Sequence, residues 1–211
     1  MSRLRYNRKA AVDSLRGSCS ALSPFIDDCG PLKLTVAKDR DLFNALAAAI
    51  VFQQLSGKAA STIHGRFTRL FRDDAPEASQ VAKLSMEDLR GVGLSRNKAL
   101  AVLDLAEKSA DGTLLPMRRL ARLEDQQVIE NLCLVRGIGP WTAQMFLIFN
   151  LGRPDVMPAT DLGVQKGVQA VYKMPDLPGP DQVLDRTCHL APYRSAAAWY
   201  FWWISDVVLM T

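Results

Sequence analysis

The segment LVRGIGPWTAQ, residues 134–144, places two glycines, a proline and a tryptophan at a corner between two helix-like patterns. Glycine at positions Gly137 and Gly139 lets the backbone turn sharply and lets another molecule approach it closely. Backbone amides at the start of the following helix, together with its dipole, favour an anion such as a phosphodiester chain. The same residues also fit an ordinary helix stop followed by Pro140 in the first turn of the next helix, which needs no ligand. The corner alone leaves both interpretations open.

Asp161 is the second residue whose position could serve chemistry. It follows the glycine- and proline-containing segment GRPDVMPAT, residues 152–160, and precedes the helical pattern LGVQKGVQAVY, residues 162–172. Aspartate and threonine are common N-caps, so Asp161 or Thr160 could simply cap this helix. Taken by itself, Asp161 fits a structural cap as well as it fits a functional carboxylate.

Helical periodicity runs through the chain that must position these residues. Apolar residues recur at spacings of three and four in three long segments: DLFNALAAAIVFQQL (41–55), STIHGRFTRLF (61–71) and KALAVLDLAEKSA (98–110). Ser85 and Asp88 have the spacing of a capping box, and Pro192 fits the first turn of the last helix. The segment LKLTV, residues 32–36, is the single candidate strand. About ten helices with short connections predict an all-α fold.

Composition describes an ordinary globular protein. The chain has 211 residues, 48% of them hydrophobic and 23% charged, which is enough to build a core without disulfides. No stretch approaches the roughly 20 apolar residues of a membrane span, and the basic N-terminus lacks the apolar run of a secretory signal. We therefore expect a soluble, intracellular protein that does not contact a membrane.

The cysteines argue against a metal site, and the net charge is compatible with an anionic partner. The four cysteines are scattered and only two histidines accompany them, so we expect no metal site. The net charge of +4 has the right sign for an anionic partner. Positive charge is concentrated near the N-terminus, where a solvated helix face and a DNA contact fit equally well: Arg3, Arg5, Arg8, Lys9 and Arg16.

The segment LVRGIGPWTAQMFLIF, residues 134–149, resembles the helix-hairpin-helix of the DNA glycosylase superfamily that is named for this hairpin, a Gly/Pro-rich loop and an aspartate. The loop and the aspartate follow in GRPDVMPATDLGVQKG, residues 152–167. Three more segments resemble, in order, its early helix, its minor-groove loop and the last helix of its alkylated-base branch, 3-methyladenine DNA glycosylase II: AAAIVFQQLSGKAASTI (47–63), GVGLSRNKA (91–99) and PYRSAAAWYFWW (192–203). The resemblance covers about residues 40–208.

The resemblance implies a bilobal helix-hairpin-helix glycosylase architecture with an active-site cleft between two helical subdomains. Residues 1–211 would form a single glycosylase unit. The central subdomain would span about residues 35–150 and include a hairpin at 132–146, and the second would combine residues 1–34 with 151–211. The chain resembles the compact bacterial and yeast-type versions, because it leaves no room for the mixed α/β domain that precedes the helical part in the long bacterial form.

The resemblance also assigns the chemistry. Asp161 matches the catalytic aspartate, which stabilises the oxocarbenium character of the deoxyribose or orients the attacking water when an N-glycosidic bond breaks. Trp141 lies where bifunctional relatives place a lysine that forms a Schiff base with the sugar, and tryptophan cannot do so. We therefore expect a monofunctional hydrolase without lyase activity, which leaves an abasic site.

The lesion pocket implied by the resemblance has aromatic walls at Trp141 and Trp202. Electron-rich rings suit a cationic methylated base through a cation–π attraction of about 0.5 to 2 kcal/mol. Met145 lies where the long bacterial form has an aromatic residue, so the pocket could be more open. Trp199 and Trp203 are expected in the core.

Base flipping requires a side chain that fills the gap left in the duplex, and Leu94 matches this intercalating wedge, although a buried packing residue would also fit the position. The amides near Gly137, Gly139 and Trp141 would bind phosphates beyond the lesion. Gln53 would face the DNA near the orphaned base. Thr142 could add a hydroxyl contact. Three basic side chains could contact phosphates or serve only as solvated surface charges: Arg96, Lys98 and Lys166. Arg194 is expected to brace the last helix.

The leading hypothesis is a base-excision-repair glycosylase that releases alkylated purines of the 3-methyladenine type from double-stranded DNA. It would act as a monomer without a required cofactor, with a possible monovalent cation at the hairpin carbonyls, in the bacterial cytoplasm (nucleoid) or the eukaryotic nucleus. One alternative is a catalytically silent helix-hairpin-helix DNA-binding module, which leaves Asp161 and the aromatic pair unexplained. Another is a glycosylase for uracil, oxidised or mismatched bases.

Overall fold

The structure is a computed structural model that describes residues 4–37, 41–55 and 57–208. Its described residues form thirteen α-helices, two short 3-10 segments and no β-strand. The helices are α1 (Arg8–Ser18), α2 (Ser23–Cys29), α3 (Leu42–Phe52), α4 (Gly57–Thr68), α5 (Ala78–Val81), α6 (Met86–Gly91), α7 (Arg96–Ala110), α8 (Met117–Leu120), α9 (Asp125–Leu132), α10 (Pro140–Phe149), α11 (Leu162–Tyr172), α12 (Pro180–Thr187) and α13 (Arg194–Val208). Ten of them have at least seven residues, which confirms the predicted all-α fold.

The strand predicted at residues 32–36 is wrong. These residues are irregular, and Leu32 and Leu34 are buried against the rest of the protein. The Arg8 guanidinium donates to the Leu34 carbonyl over 2.8 Å, so a side chain satisfies an acceptor that a neighbouring strand would otherwise use. Apolar alternation here reflects a chain that packs along the helices, not a sheet.

Helix ends follow the local signals in most places. Ser85 and Asp88 form the predicted capping box at α6, with the Asp88 amide donating to Ser85 Oγ over 3.1 Å and the Ser85 amide donating to Asp88 Oδ2 over 2.8 Å. Helix α7 ends at Asp111–Gly112, where Gly112 has a φ of +82°. The last helix begins at Arg194, two residues after the predicted start at Pro192.

The chain divides into two compact units. The terminal unit comprises Met1–Lys38 and Gln144–Thr211, and the central unit comprises Asp39–Ala143. The second boundary therefore falls inside α10, a few residues earlier than the sequence indicated.

The terminal unit is built around the contact between α11 and α13. At Gly167 the helices approach so closely that an added Cβ would lie 2.4 Å from the Phe201 carbonyl oxygen. Tyr200 and Phe201 are fully buried, whereas Trp199 and Trp203 are only partly buried. The two tryptophans expected in the core are therefore not fully buried, and Phe201, two positions from each of them, lies at the close contact with α11.

The central unit has its own core, formed by α3, α4, α6, α7 and α8. Its largest fully buried side chains are Phe67, Leu46, Ile50, Leu89, Leu105 and Leu120. Burial of each such side chain contributes about 1.5–3 kcal/mol. No helix among the described residues is long and apolar enough to cross a membrane.

The basic N-terminal residues are used partly inside the protein. Arg8 binds the Leu34 carbonyl, and Arg16 forms an ion pair with Asp27 at 2.6 Å. These two contacts favour the helix-face interpretation over DNA contact for this stretch, of which Arg3 lies outside the described residues.

Candidate active site

Asp161 is the N-cap of α11 and holds its carboxylate in a defined place. Asp161 Oδ1 accepts from the Val164 amide over 3.0 Å, which satisfies one of the unpaired donors at the start of the helix. The same oxygen accepts from the indole Nε1 of Trp202 over 2.8 Å. The structural cap and the functional carboxylate, which the sequence left as alternatives, are thus compatible in one residue.

Trp202 joins the carboxylate to an aromatic surface. Its ring stacks on Phe149, with centroids 5.6 Å apart and an interplanar angle of 25°. Met145 lies one turn before Phe149 on α10 and is partly buried, so both side chains belong to one helix face. The structure brings Asp161 and Trp202 together as the resemblance implied, and it adds Phe149, which the sequence analysis missed.

Gly163 makes the contact between Trp202 and Asp161 possible. A Cβ at Gly163 would lie 2.9 Å from Trp202 Cδ1 and 3.2 Å from Asp161 Oδ1, both closer than ordinary packing allows. Gly163 and Gly167 are one helical turn apart and face α13 together. The pair was visible in the sequence as LGVQKG, and its spacing was the signal that could have revealed a close helix contact.

The loop before Asp161 is fastened to the first turn of α13. Arg194 Nε and Nη2 donate to Asp155 Oδ1 and Oδ2, each over 2.8 Å, in a two-point ion pair. The Val156 amide donates to Ser195 Oγ over 3.0 Å, and the Ser195 amide donates to the Pro154 carbonyl over 3.0 Å. The first turn of α13 therefore holds the loop, and Trp202 lies two turns further along the same helix. Arg194 does brace the last helix, as predicted.

The surroundings of the Asp155–Arg194 ion pair favour the ionised form of the Asp155 carboxylate. Burial would raise the pKa of Asp155, but the hydrogen bonds from Arg194 and its positive charge together lower that pKa below its usual value. The lowered pKa in the folded state means that the pair stabilises the protein fully above about pH 4. The contribution is lost as the pH falls through the lowered value.

Replacing Arg194 by glutamine should lower the free energy of unfolding by about 2–4 kcal/mol at pH 7, because Asp155 then keeps a partly buried charge without its partner. The difference from wild type should shrink below about pH 4, where Asp155 becomes protonated. Urea unfolding at pH 7, 5 and 3.5 measures both effects. Arg72→Gln is the matched control, since its 3.8 Å ion pair with Asp73 is exposed and should contribute nothing measurable. A difference that is independent of pH would contradict this account.

The hairpin between α9 and α10 presents two backbone amides. Gly137 has a φ of +77°, a conformation that favours glycine. The amides on alternate residues are satisfied: Arg136 donates to Asp104 Oδ2 over 2.7 Å, and Ile138 donates to the Val135 carbonyl over 3.1 Å. Among the described residues, the amides of Gly137 and Gly139 have no acceptor. Two available amides beside the N-terminus of α10 form a place where an anion can bind.

Residues 90–93 repeat the sequence pattern of hairpin residues 136–139: arginine, glycine, an apolar residue and glycine. The backbone conformation of the two segments differs. In residues 90–93 the positive φ, +103°, occurs at Gly93, the second glycine, whereas in the hairpin it occurs at the first. Gly91 still belongs to α6. The two segments share a sequence pattern without sharing a conformation.

Leu94 follows residues 90–93, and its predicted exposure is wrong. The side chain is 3% exposed, and the backbone amide donates to the Leu89 carbonyl over 3.3 Å in the helix-ending turn. The turn itself lies close to α4, since a Cβ placed on Gly93 would be 3.2 Å from Ile63 Cγ1. The buried packing role, left open by the sequence, is the one observed.

Several predicted DNA contacts are engaged within the central unit. Thr142 is 6% exposed, and its Oγ1 accepts from Gln53 Nε2 over 3.3 Å, so the hydroxyl has a partner within the central unit and its phosphate contact stays a prediction. Gln53 Nε2 also donates to the Gly137 carbonyl over 3.0 Å. Lys98 Nζ donates to the carbonyls of Val51 and Gln53, over 2.7 and 2.6 Å, at the end of α3. Lys98 is therefore a helix C-terminal partner, not a surface phosphate contact.

Three predicted residues remain accessible. Trp141 is 41% exposed, and Arg96 is exposed in the first turn of α7. Lys166 is partly buried on α11. Among the described residues, no three His, Cys, Asp or Glu side chains lie close enough to hold a metal ion, and all four cysteines are free.

The protein is of the helix-hairpin-helix class. Its all-helical scaffold carries a glycine hairpin with two available amides, and the capped Asp161 carboxylate lies beside an aromatic pair. Residues 47–191 match the model of the HhH-GPD superfamily base excision DNA repair proteins. The chain belongs to this superfamily, as its sequence segments predicted.

The chain is similar to known glycosylases both in sequence and in structure. The chain is 35% identical to DNA-3-methyladenine glycosylase 1 of Schizosaccharomyces pombe over 77% of this chain and 72% of that protein. It is similar to the structure of the S. pombe 3-methyladenine DNA glycosylase in complex with abasic DNA, with a TM-score of 0.82 and 32% identity over 92% and 95% of the two chains. A DNA-3-methyladenine glycosidase from Bacillus halodurans matches with a TM-score of 0.85 and 33% identity over 95% and 91%.

Proposed function

We propose that this protein is a monofunctional DNA glycosylase that hydrolyses the N-glycosidic bond of alkylated purines of the 3-methyladenine type in duplex DNA. The observation that carries the proposal is the Asp161 carboxylate, held by the Trp202 indole and the Val164 amide beside the Trp202–Phe149 stack. A helix cap in a DNA-binding module would not require the second hydrogen bond from Trp202 Nε1. The relatives named DNA-3-methyladenine glycosylase support the choice of substrate class.

The reaction follows from the charges involved. The bond between C1′ and the purine nitrogen breaks, and its electron pair leaves with the base. Because a 3-methylated adenine carries a positive charge, it departs as a neutral molecule and needs no strong acid. Asp161 stabilises the positive charge that develops on the sugar, water adds to C1′, and the proton of that water passes to Asp161 or to solvent.

The product is an intact abasic site. The hairpin residue at the position of a Schiff-base lysine is Trp141, whose indole cannot form a covalent intermediate with the sugar. Hydrolysis by water is therefore the only route that these residues provide, and the strand is not cut.

Selectivity for a cationic base comes from the aromatic side chains. The Trp202–Phe149 stack provides an electron-rich surface, and attraction between such a ring and a cation contributes about 0.5–2 kcal/mol. Met145, one turn away on α10, adds a flexible apolar contact. Trp141 keeps its predicted role as an aromatic contact to the lesion.

DNA binding is assigned to the hairpin. The amides of Gly137 and Gly139 bind a phosphate oxygen, assisted by the dipole of α10. Arg96 is exposed and supplies a cation to the backbone. Lys166 keeps its predicted role as a phosphate contact, and the possible cation at the hairpin carbonyls also stays a prediction.

The wedge required for base flipping is assigned to the turn after α3 instead of Leu94. Gln54 has a φ of +55°, a conformation that non-glycine residues rarely adopt and that concentrates at functional sites. The neighbouring Leu55 is 39% exposed, and both follow Gln53, which binds the hairpin carbonyl. An exposed side chain on this turn can enter a base stack without unfolding a core.

The enzyme works as a monomer where the DNA is, in the bacterial cytoplasm or the eukaryotic nucleus.

The test is the release of free bases from duplex DNA treated with a methylating agent, with strand breaks scored before and after alkali. We expect methylated purines to be released and breaks to form only after alkali. Breaks without alkali would contradict the monofunctional mechanism. If no methylpurine is released although the protein binds duplex DNA, duplexes with uracil, 8-oxoguanine or mismatches test the other lesion classes. Failure on all of them would leave a silent DNA-binding module.

A further inference from the structure

Side chains from two other elements hold the hairpin of the central unit at adjacent peptide groups. Asp104 of α7 accepts the Arg136 amide over 2.7 Å. Gln53, the residue that ends α3, donates to the Gly137 carbonyl over 3.0 Å and to Thr142 Oγ1 over 3.3 Å. The corner is therefore fixed by contacts outside its own two helices.

Gln53 is itself held in place by α7. Lys98 Nζ donates to the Gln53 carbonyl over 2.6 Å and to the Val51 carbonyl over 2.7 Å. A lysine at the C-terminus of a helix satisfies carbonyls that have no partner within the helix and complements the negative end of its dipole. Lys98 thus fixes the backbone from which the Gln53 side chain reaches the hairpin.

One face of α7 serves all of these contacts. Lys98, Ala101 and Asp104 follow one another at spacings of three, which places them on the same side of the helix. A Cβ at Gly137 would lie 3.3 Å from Ala101 Cβ, so the hairpin rests directly on this face. Asp104 is kept in position by an ion pair with Lys108 at 2.5 Å.

This arrangement has a selective effect on the hairpin amides. The Arg136 amide is occupied by Asp104, and the Ile138 amide is occupied by the Val135 carbonyl. The amides of Gly137 and Gly139 are left without an acceptor among the described residues. Fixing the neighbouring peptide groups therefore orients these two amides before any ligand is present, which removes part of the ordering entropy of binding.

We infer that Gln53, Lys98 and Asp104 are positioning residues that hold the hairpin in its phosphate-binding conformation before DNA arrives. The inference rests on the proposed function for the identity of the ligand. It replaces the predicted DNA contacts of Gln53 and Lys98. The Gln53 amide group donates to two acceptors inside the protein, and the Lys98 ammonium donates to two backbone carbonyls.

Salt dependence separates a positioning role from a direct contact. A lysine that neutralises a phosphate contributes about one to the slope of log Kd against log salt concentration, whereas a neutral backbone amide contributes nothing to it. Loss of Lys98 as a phosphate contact would lower the slope by about one. Loss of Lys98 as a positioning residue would weaken binding with the slope unchanged.

The experiment measures binding of Gln53→Leu, Lys98→Met and wild type to a duplex that contains a tetrahydrofuran abasic-site analogue, at several salt concentrations. We expect Kd to rise about tenfold in both variants with an unchanged slope. Gln80→Leu and Lys83→Met are matched controls, since both residues are exposed and lie away from the hairpin in sequence. An unchanged Kd for Gln53→Leu, or a slope lowered by about one for Lys98→Met, would overturn the inference.

Amide hydrogen exchange in the absence of DNA tests the same inference independently of the proposed function. In Asp104→Ala the Arg136 amide should exchange about tenfold faster, and Gln53→Leu should speed exchange at Ile138, whose peptide group contains the Gly137 carbonyl that Gln53 holds. Exchange unchanged at both residues would overturn the inference even if the protein proves to bind no DNA. If wild type fails to bind duplex DNA while exchange responds as expected, the proposed function fails and the positioning role stands.

Discussion

Asp161→Asn should reduce the rate of base release by at least about 10²- to 10³-fold, because the negative charge next to the developing oxocarbenium ion is removed. Asparagine is as good an N-cap as aspartate, and its amide oxygen can still accept from the Val164 amide and from Trp202 Nε1. Helix α11 and the aromatic pair therefore stay in place, and binding to duplex DNA should be retained.

The decisive measurement is single-turnover release of methylpurine, with binding to an abasic-analogue duplex and a thermal melt on the same preparations. Asp41→Asn is a matched control, since Asp41 caps α3 by accepting from the Asn44 amide over 2.8 Å in the same way. The control should release bases at the rate of wild type. Normal release by Asp161→Asn would remove this carboxylate from the mechanism, and loss of folding would show that its charge is structural.

Gly163→Ala should lower the release rate about 10- to 100-fold without unfolding the protein. The new methyl group would come within 2.9 Å of Trp202 Cδ1, so the indole must move away from Asp161 Oδ1 and from its stacked position on Phe149. A displacement of about 1 Å in a reacting group can lower a rate by as much as 10²-fold. Alanine also favours the helix by about 1 kcal/mol relative to glycine, which offsets part of the steric strain.

Gly65→Ala is the matched control for this substitution. Gly65 also lies inside a helix, α4, but a Cβ there meets nothing within 4 Å. It should leave base release unchanged and raise the melting temperature slightly. A wild-type release rate for Gly163→Ala would mean that the Trp202–Asp161 hydrogen bond has no part in the reaction.

Local signals in the sequence predicted the elements well. Periodicity predicted the helices, the Ser85–Asp88 spacing predicted a capping box, and Asp161 was placed correctly in front of α11. Each of these features depends on residues within one or two turns of each other. Interactions between residues that are near each other in the sequence are therefore enough to predict these features.

Contacts between distant residues were not predictable in the same way. The Gln53 side chain binds a carbonyl 84 residues away, and Trp202 binds a carboxylate 41 residues away. Leu94 was expected to be exposed because it matches the family's intercalating wedge, yet its side chain is only 3% exposed. The sequence patterns identify which residues can donate, accept or pack, but the fold decides which partner each one meets.

The double role of Asp161, as helix cap and as carboxylate, has a consequence for mutation in living cells. Changing an aspartate codon to an asparagine codon requires only a single G-to-A transition. Because asparagine preserves the cap, such a mutation would yield a stable protein and not a misfolded one that proteases remove. Under the proposed function the hairpin would still bind DNA, so the altered protein would occupy lesions without clearing them.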